Sequence, residues 1–149
     1  MIEGVVVKKM TVHTDDRGWL MEFINPKDKL AKNAGQITIT ETYPKVIKAF
    51  HYHKKQFDIW TVAKGMIQAV LYDDRESSKT RGETQVVYLG EKNPVALKIP
   101  AGVIHGYKVL GSQPALVIYY TSRAYDPKDE FRIPHDDPKI GFDWSVKYR

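Results

Sequence analysis

Apolar and polar residues alternate one for one through most of this chain, and a two-residue period is the signature of extended strands. Residues 36–41 read QITITE, polar and apolar in strict turn. Segments 46–53, 57–63, 66–73, 84–89, 96–99, 105–110 and 115–121 are short and rich in β-branched or aromatic side chains, which suit a pleated, half-buried surface. Adding 4–8 and 19–23 gives about ten strands. Glycine and proline punctuate them: Lys64-Gly65 predicts a tight hairpin between its flanking runs, and Pro100-Ala101-Gly102 and Leu110-Gly111-Ser112 mark further turns. Only residues 26–33 resemble a helix, and they span barely two turns. The expected class is all-β, a closed double sheet of jelly-roll type. The tail after Tyr125 is proline-rich and irregular, and Trp144 is expected to anchor it over one end of the barrel.

The 149 residues fit a single domain spanning 1–149, large enough to bury a full core. Cysteine is absent, which excludes disulfides and thiolate metal sites. The N-terminal MIEGVVVKKM has neither the apolar core nor the cleavage site of a signal peptide. The longest apolar run, residues 115–120, is too short to cross a bilayer. A cytoplasmic protein with no membrane partner is the default expectation. The net charge of +5 is scattered as singlets and pairs among acidic residues, so no nucleic-acid stripe forms. It would serve to steer a small anion into a pocket.

The chemistry concentrates in residues 48–65, KAFHYHKKQFDIWTVAKG. Simple alternation puts Ile47, Ala49, His51 and His53 on one face and Lys48, Phe50 and Tyr52 on the other. Imidazoles beside small apolar residues point the histidine face into the barrel, where each ring needs a polar partner. One buried histidine is ordinary; two in register with a third at His105 indicate a site.

The spacing of His51, His53, Asp58 and Gly65, followed by Pro100, Gly102 and His105, resembles the paired motifs of metal-binding cupins. The resemblance implies a cupin-type barrel, a double-stranded antiparallel β-helix, with His51, His53, Asp58 and His105 as ligands of a divalent transition metal. Asp58 departs from the glutamate usual in those sites.

A second resemblance runs along nearly the whole chain, to the dTDP-4-dehydrorhamnose 3,5-epimerases. DRGWLME from Asp16, KAFHYH from Lys48, YDDR from Tyr72, IPAGVIHGYKVL from Ile99, IYYTSRAYDPKDE from Ile118 and HDDPKIGFDW from His135 occur in family order. Gln36 lies where the family has a substrate-binding glutamine. The resemblance implies a homodimer, with residues 4–8 adding to a partner's sheet, and a nucleotide-diphosphate sugar as substrate. It implies epimerisation at C3, C5 or both carbons of a 4-keto-6-deoxy sugar, and no organic cofactor. A proton beside a ketone is acidic because its carbanion spreads onto the carbonyl oxygen, and inversion needs a base on one face and an acid on the other. By this likeness His51 is the base, Asp137 its orienting carboxylate and Tyr119 the acid. Arg17 contacts the diphosphate as a bidentate fork, and Glu22, Gln36, Lys48, His53, Asp58 and His105 surround the sugar.

The match breaks within the site. Lys48 stands for an arginine and Ala49 for a glycine, and alternation turns Lys48 away from His51 unless a bulge intervenes. His53 replaces a glutamine. Asp58 falls where a lysine supports the enolate, and a carboxylate cannot do that. These changes also create the cupin-like ligand set. Three readings follow: an epimerase, a metal-dependent cupin enzyme, or a silent module that binds a sugar nucleotide.

Overall fold

The computed structural model describes residues 1–16, 18–21, 23 and 35–146. Two five-stranded antiparallel sheets face each other. The first runs in the order β1 (Val6–Lys9), β9 (Val95–Ile99), β6 (Asp58–Lys64), β11 (Ala115–Thr121) and β4 (Gln36–Thr42). The second runs β12 (Phe131–Arg132), β5 (Ile47–Tyr52), β10 (Val103–Leu110), β7 (Met66–Asp73) and β8 (Thr84–Gly90). A separate hairpin joins β2 (Val12–Asp15) to β3 (Gly18–Met21). This is the all-β jelly roll the alternation demands. The helix-like stretch 26–33 lies outside the described residues. Among the described residues, no helix is long and apolar enough to cross a membrane.

The Lys64-Gly65 junction differs from the hairpin expected there. β6 and β7 do not pair: β6 lies between β11 and β9, while β7 lies between β10 and β8. The chain crosses from one sheet to the other at Gly65, whose φ is 78°. A Cβ at this position would meet the Pro114 carbonyl oxygen at 2.5 Å, so the crossing needs glycine for both conformation and space. Similar crossings join β9 to β10 at Gly102 (φ 83°) and β10 to β11 at Gly111 (φ 75°).

Alternation then decides what fills the barrel. Val62 from β6, Ile67, Ala69 and Leu71 from β7, Leu97 from β9, Val109 from β10 and Val117 from β11 are buried between the sheets. The same inward frame, followed towards the other end of these strands, brings in Asp58, Trp60, His105, Tyr107 and Tyr119. One end of the barrel is thus apolar and packed, and the other polar.

The outer face of the second sheet is covered by the tail. Trp144 is 7% exposed, lies 5.4 Å from Phe50 ring to ring and donates from Nε1 to the His135 carbonyl at 3.0 Å. It is the anchor the sequence suggested. The tail is more ordered than expected, because it supplies β12 and a 3-10 turn at Pro127–Asp129.

The β7–β8 connection is held by a fully buried carboxylate. Asp73 accepts from Arg75 Nε and Nη2, both at 2.8 Å, and from Ser78 Oγ at 2.5 Å and Thr80 Oγ1 at 2.6 Å. Arg75 also donates to the Glu3 carbonyl at 2.8 Å, tying in the N-terminus. Arg75 above all, with the two hydroxyls, holds the Asp73 carboxyl well below the usual carboxylate range.

Candidate active site

β5 does not keep a simple two-residue frame. His51 pairs with His105 of β10, but Lys48 pairs with Tyr107, so three steps on β5 answer two on β10. The irregularity resets which side chains face inward. Phe50 and Tyr52 stay outside with Trp144, as alternation predicts, and Ile47 and Ala49 pack against that outer cluster too. Lys48 now lines the same cavity as His51, with Nζ donating to Thr40 Oγ1 at 3.3 Å. This corrects the assignment of Lys48 to the far face.

The reset depends on a missing side chain. A Cβ at Gly106 would lie 2.3 Å from Ala49 Cβ and 2.6 Å from its Cα, so β5 can press against β10 only over glycine. Gly106→Ala is expected to cost about 1–3 kcal/mol through overpacking. It should also slow turnover by ~10²-fold, because a 1 Å displacement of reacting groups has that effect. Thermal unfolding and a turnover assay on one preparation would check both.

The cavity has a volume of about 550 Å³. His51, His53, Asp58 and Tyr119 line it, as the sequence leads one to expect, and the irregularity in β5 adds Lys48. Gln56, Trp60, Tyr107, Tyr125, Glu130 and Arg132 line it as well and were not foreseen. His105 is only 3% exposed and sits behind the wall, its ring centroid 4.3 Å from that of His51 and 5.1 Å from that of Trp60. Gln36 stands outside the lining, where Oε1 accepts from the Tyr125 N–H at 3.0 Å and positions that residue. Arg17 and Glu22 lie outside the described residues.

Asp137 does not fill its expected place beside His51. It closes a turn: Oδ1 accepts from the Lys139 N–H at 2.9 Å and its carbonyl accepts from Gly141 N at 2.9 Å. A carboxylate ahead of proline readily bonds its own downstream backbone in this way. The carboxylate among the histidines is Asp58, held by Gln56 Nε2 at 2.8 Å and Trp60 Nε1 at 3.3 Å. His105 Nε2 is 3.6 Å from Asp58 Oδ2.

Asp129, another residue unforeseen in the sequence, organises the β5–β6 loop. Its carboxylate accepts from the N–H groups of Lys54, Lys55 and Gln56 at 3.0–3.3 Å, and its carbonyl lies 2.6 Å from His53 Nδ1. The only hint was its place within the AYDPKDE block.

Electrostatics set the protonation states. Burial first, and the neighbouring His105 second, push the His51 pKa down to about 2 against an upward pull from Asp58. His51 is therefore neutral at pH 7 and lines the cavity as an unprotonated imidazole. Burial alone would raise Asp58, but His105, His53 and Gln56 hold it below the ordinary carboxylate range. Burial raises Tyr119, and the anions Asp58 and Glu130 raise it further, so the phenol keeps its proton. The site thus offers an unprotonated imidazole on one sheet and a protonated phenol on the other. Together they can take a proton from one face of a ligand and deliver one to the opposite face.

Comparisons with known proteins agree with this chemistry. The sequence matches the family described as dTDP-4-dehydrorhamnose 3,5-epimerase over residues 1–149. It is 52% identical over 151 residues to the spore coat polysaccharide biosynthesis protein SpsL of Bacillus subtilis, covering 100% of both chains. A dTDP sugar isomerase from Desulfovibrio desulfuricans superposes with a TM-score of 0.92 at 30% identity, over 96% of this chain and 92% of that one. The dTDP-6-deoxy-D-glucose-3,5-epimerase of Legionella pneumophila, solved with dTDP-4-keto-L-rhamnose, superposes with a TM-score of 0.85 at 27% identity, over 96% of this chain and 79% of that one. With the family pattern running from end to end, the chain belongs to the dTDP-4-dehydrorhamnose 3,5-epimerase family.

Proposed function

We propose that the protein epimerises a dTDP-linked 4-keto-6-deoxy sugar at one or both carbons flanking the ketone. The observation that carries this reading is the placement of His51 and Tyr119 on opposite sheets around one cavity, the first deprotonated and the second protonated at neutral pH. His51 removes the proton α to the ketone, the electron pair moves onto the carbonyl oxygen, and Tyr119 returns a proton to the other face of the carbon. The substrate's own ketone is the electron sink, so no organic cofactor takes part.

The developing enolate needs positive charge close by. With Asp58 standing where a lysine is expected, Lys48 takes this role, since the irregularity in β5 carries its ammonium to the cavity wall. Arg132 adds a second positive charge to the lining and suits the diphosphate. The protein acts as a homodimer. In support of that, β4 is an edge strand of the first sheet and exposes Ile37 and Ile39, 64% and 62% accessible, where a second chain would cover them.

The test is incubation with dTDP-4-keto-6-deoxyglucose in deuterium oxide, read by mass spectrometry and proton NMR. Deuterium should enter at C3, C5 or both, accompanied by inversion at the labelled carbon. Binding without any deuterium uptake would refute the reading and leave a silent binding module.

A further inference from the structure

We propose that Asp129 is a positioning residue for the epimerisation, on which reading its role depends. It braces the mouth of the cavity and holds the wall that carries His51 in register with the wall that carries Tyr119. What it governs is the stereochemical outcome, not the removal of the proton.

Two stretches of chain cross between the walls at the polar end. The loop 53–57 leads from β5 in the second sheet to β6 in the first. The tail segment 122–130 leads back, from β11 in the first sheet to β12 in the second. Both crossings are tied at their ends to the strands of the acid and the base. On the acid's side, the Phe57 N–H donates to Ser122 Oγ and the Ser122 N–H to the Phe57 carbonyl, both at 3.0 Å. Ser122 directly follows β11, the strand of Tyr119. On the base's side, the Gly102 N–H donates to the His53 carbonyl at 2.6 Å, and Arg132 of β12 pairs with His51 itself.

Between those ends one carboxylate joins the two crossings. Asp129 is buried, and its N–H is fixed by the Asp126 carbonyl at 3.0 Å. Its Oδ1 accepts from the Lys54 N–H, and its Oδ2 from those of Lys55 and Gln56. Its carbonyl accepts from His53 Nδ1. Without the carboxylate three consecutive N–H groups must turn towards water, and the course of the loop changes with them. His53 and Gln56, which line the cavity, move too. Proton removal needs only a base within reach, whereas inversion needs base and acid placed together on the two faces of one carbon. Loosened walls therefore penalise inversion first.

The test compares the full-length protein with Asp129→Ala and Asp129→Asn on dTDP-4-keto-6-deoxyglucose in deuterium oxide. In Asp129→Ala inversion should fall by roughly 10²-fold, the effect of a displacement of about 1 Å, while deuterium still enters with retention. Asp129→Asn keeps one acceptor oxygen and should recover part of the inversion; if Asp129→Ala does not fold by circular dichroism, the same comparison is read on Asp129→Asn. A smaller folded fraction would lower label and inversion alike, so an equal fall in both overturns the proposal. Two readouts need no substrate. In Asp129→Ala amide hydrogen exchange should quicken at Lys54, Lys55 and Gln56, and the NMR signals of the His51 and Tyr119 rings should shift. Inversion at the unaltered rate, however fast those amides exchange, would make Asp129 a loop anchor alone and overturn the proposal too. Should the unaltered protein take up no deuterium, the epimerase reading fails and the ring signals decide the brace: shifted rings uphold it, and unmoved rings end it.

Discussion

His51→Asn should lower deuterium exchange into the 4-keto sugar by about 10³-fold, within the range that general acid–base groups contribute. Asparagine keeps a polar group of similar reach at the cavity wall, so the fold should persist and circular dichroism should be unchanged. What disappears is the lone pair. Tyr119→Phe is the contrasting case. There His51 can still remove the proton, trade it with solvent and return it to the same face. Deuterium should therefore enter with retention while the inverted product falls by about 10²-fold. Rapid inversion in His51→Asn would assign the base to another residue. Loss of all exchange in Tyr119→Phe would mean that the phenol is needed before the carbanion forms.

The second large effect concerns stability. Asp73→Ala should cost about 3 kcal/mol, because it leaves the Arg75 guanidinium and two hydroxyls facing a vacancy at a site where the carboxylate was fully buried. For a chain of this size that lowers the unfolding midpoint by roughly 10 °C. The sign of the pH dependence follows from the depressed folded-state pKa. Asp73 binds a proton more readily in the unfolded chain, so its contribution is complete above about pH 4 and declines as the pH falls below that. Thermal melts at pH 7 and pH 3 should therefore show a smaller difference between the variant and the unaltered protein at the lower pH. An equal difference at both would mean the carboxylate's charge does not matter.

Much of this could be read from the sequence, and the parts that could not share a cause. Alternation is local, and it located ten of the twelve strands among the described residues to within a residue or two, missing β2 and the two-residue β12. Gly65 correctly announced a change of direction. A turn residue does not say which sheet the chain enters next, and here β6 and β7 part company. The facing of Lys48 failed similarly: the extra residue in β5 is accommodated by the bare backbone of Gly106, some 60 positions along the chain. The cavity residues that went unforeseen, Tyr125, Glu130 and Arg132 among them, come partly from a tail whose placement depends on Trp144 and β12. Asp137 shows the opposite limit. Its motif was recognised, but the carboxylate bonds to its own turn, and Asp58 occupies the polar centre.

The base and the acid ride on opposite walls of the barrel, so the gap between them is not fixed by their immediate neighbours. It follows the bulk of the aliphatic side chains wedged between the walls at the far end, Val62, Ile67, Leu89 and Val95 among them. A methyl group gained or lost there would tilt one wall against the other and alter which ring carbon sits within reach of both groups. Stereochemical preference in this scaffold could therefore drift through substitutions that never contact the sugar.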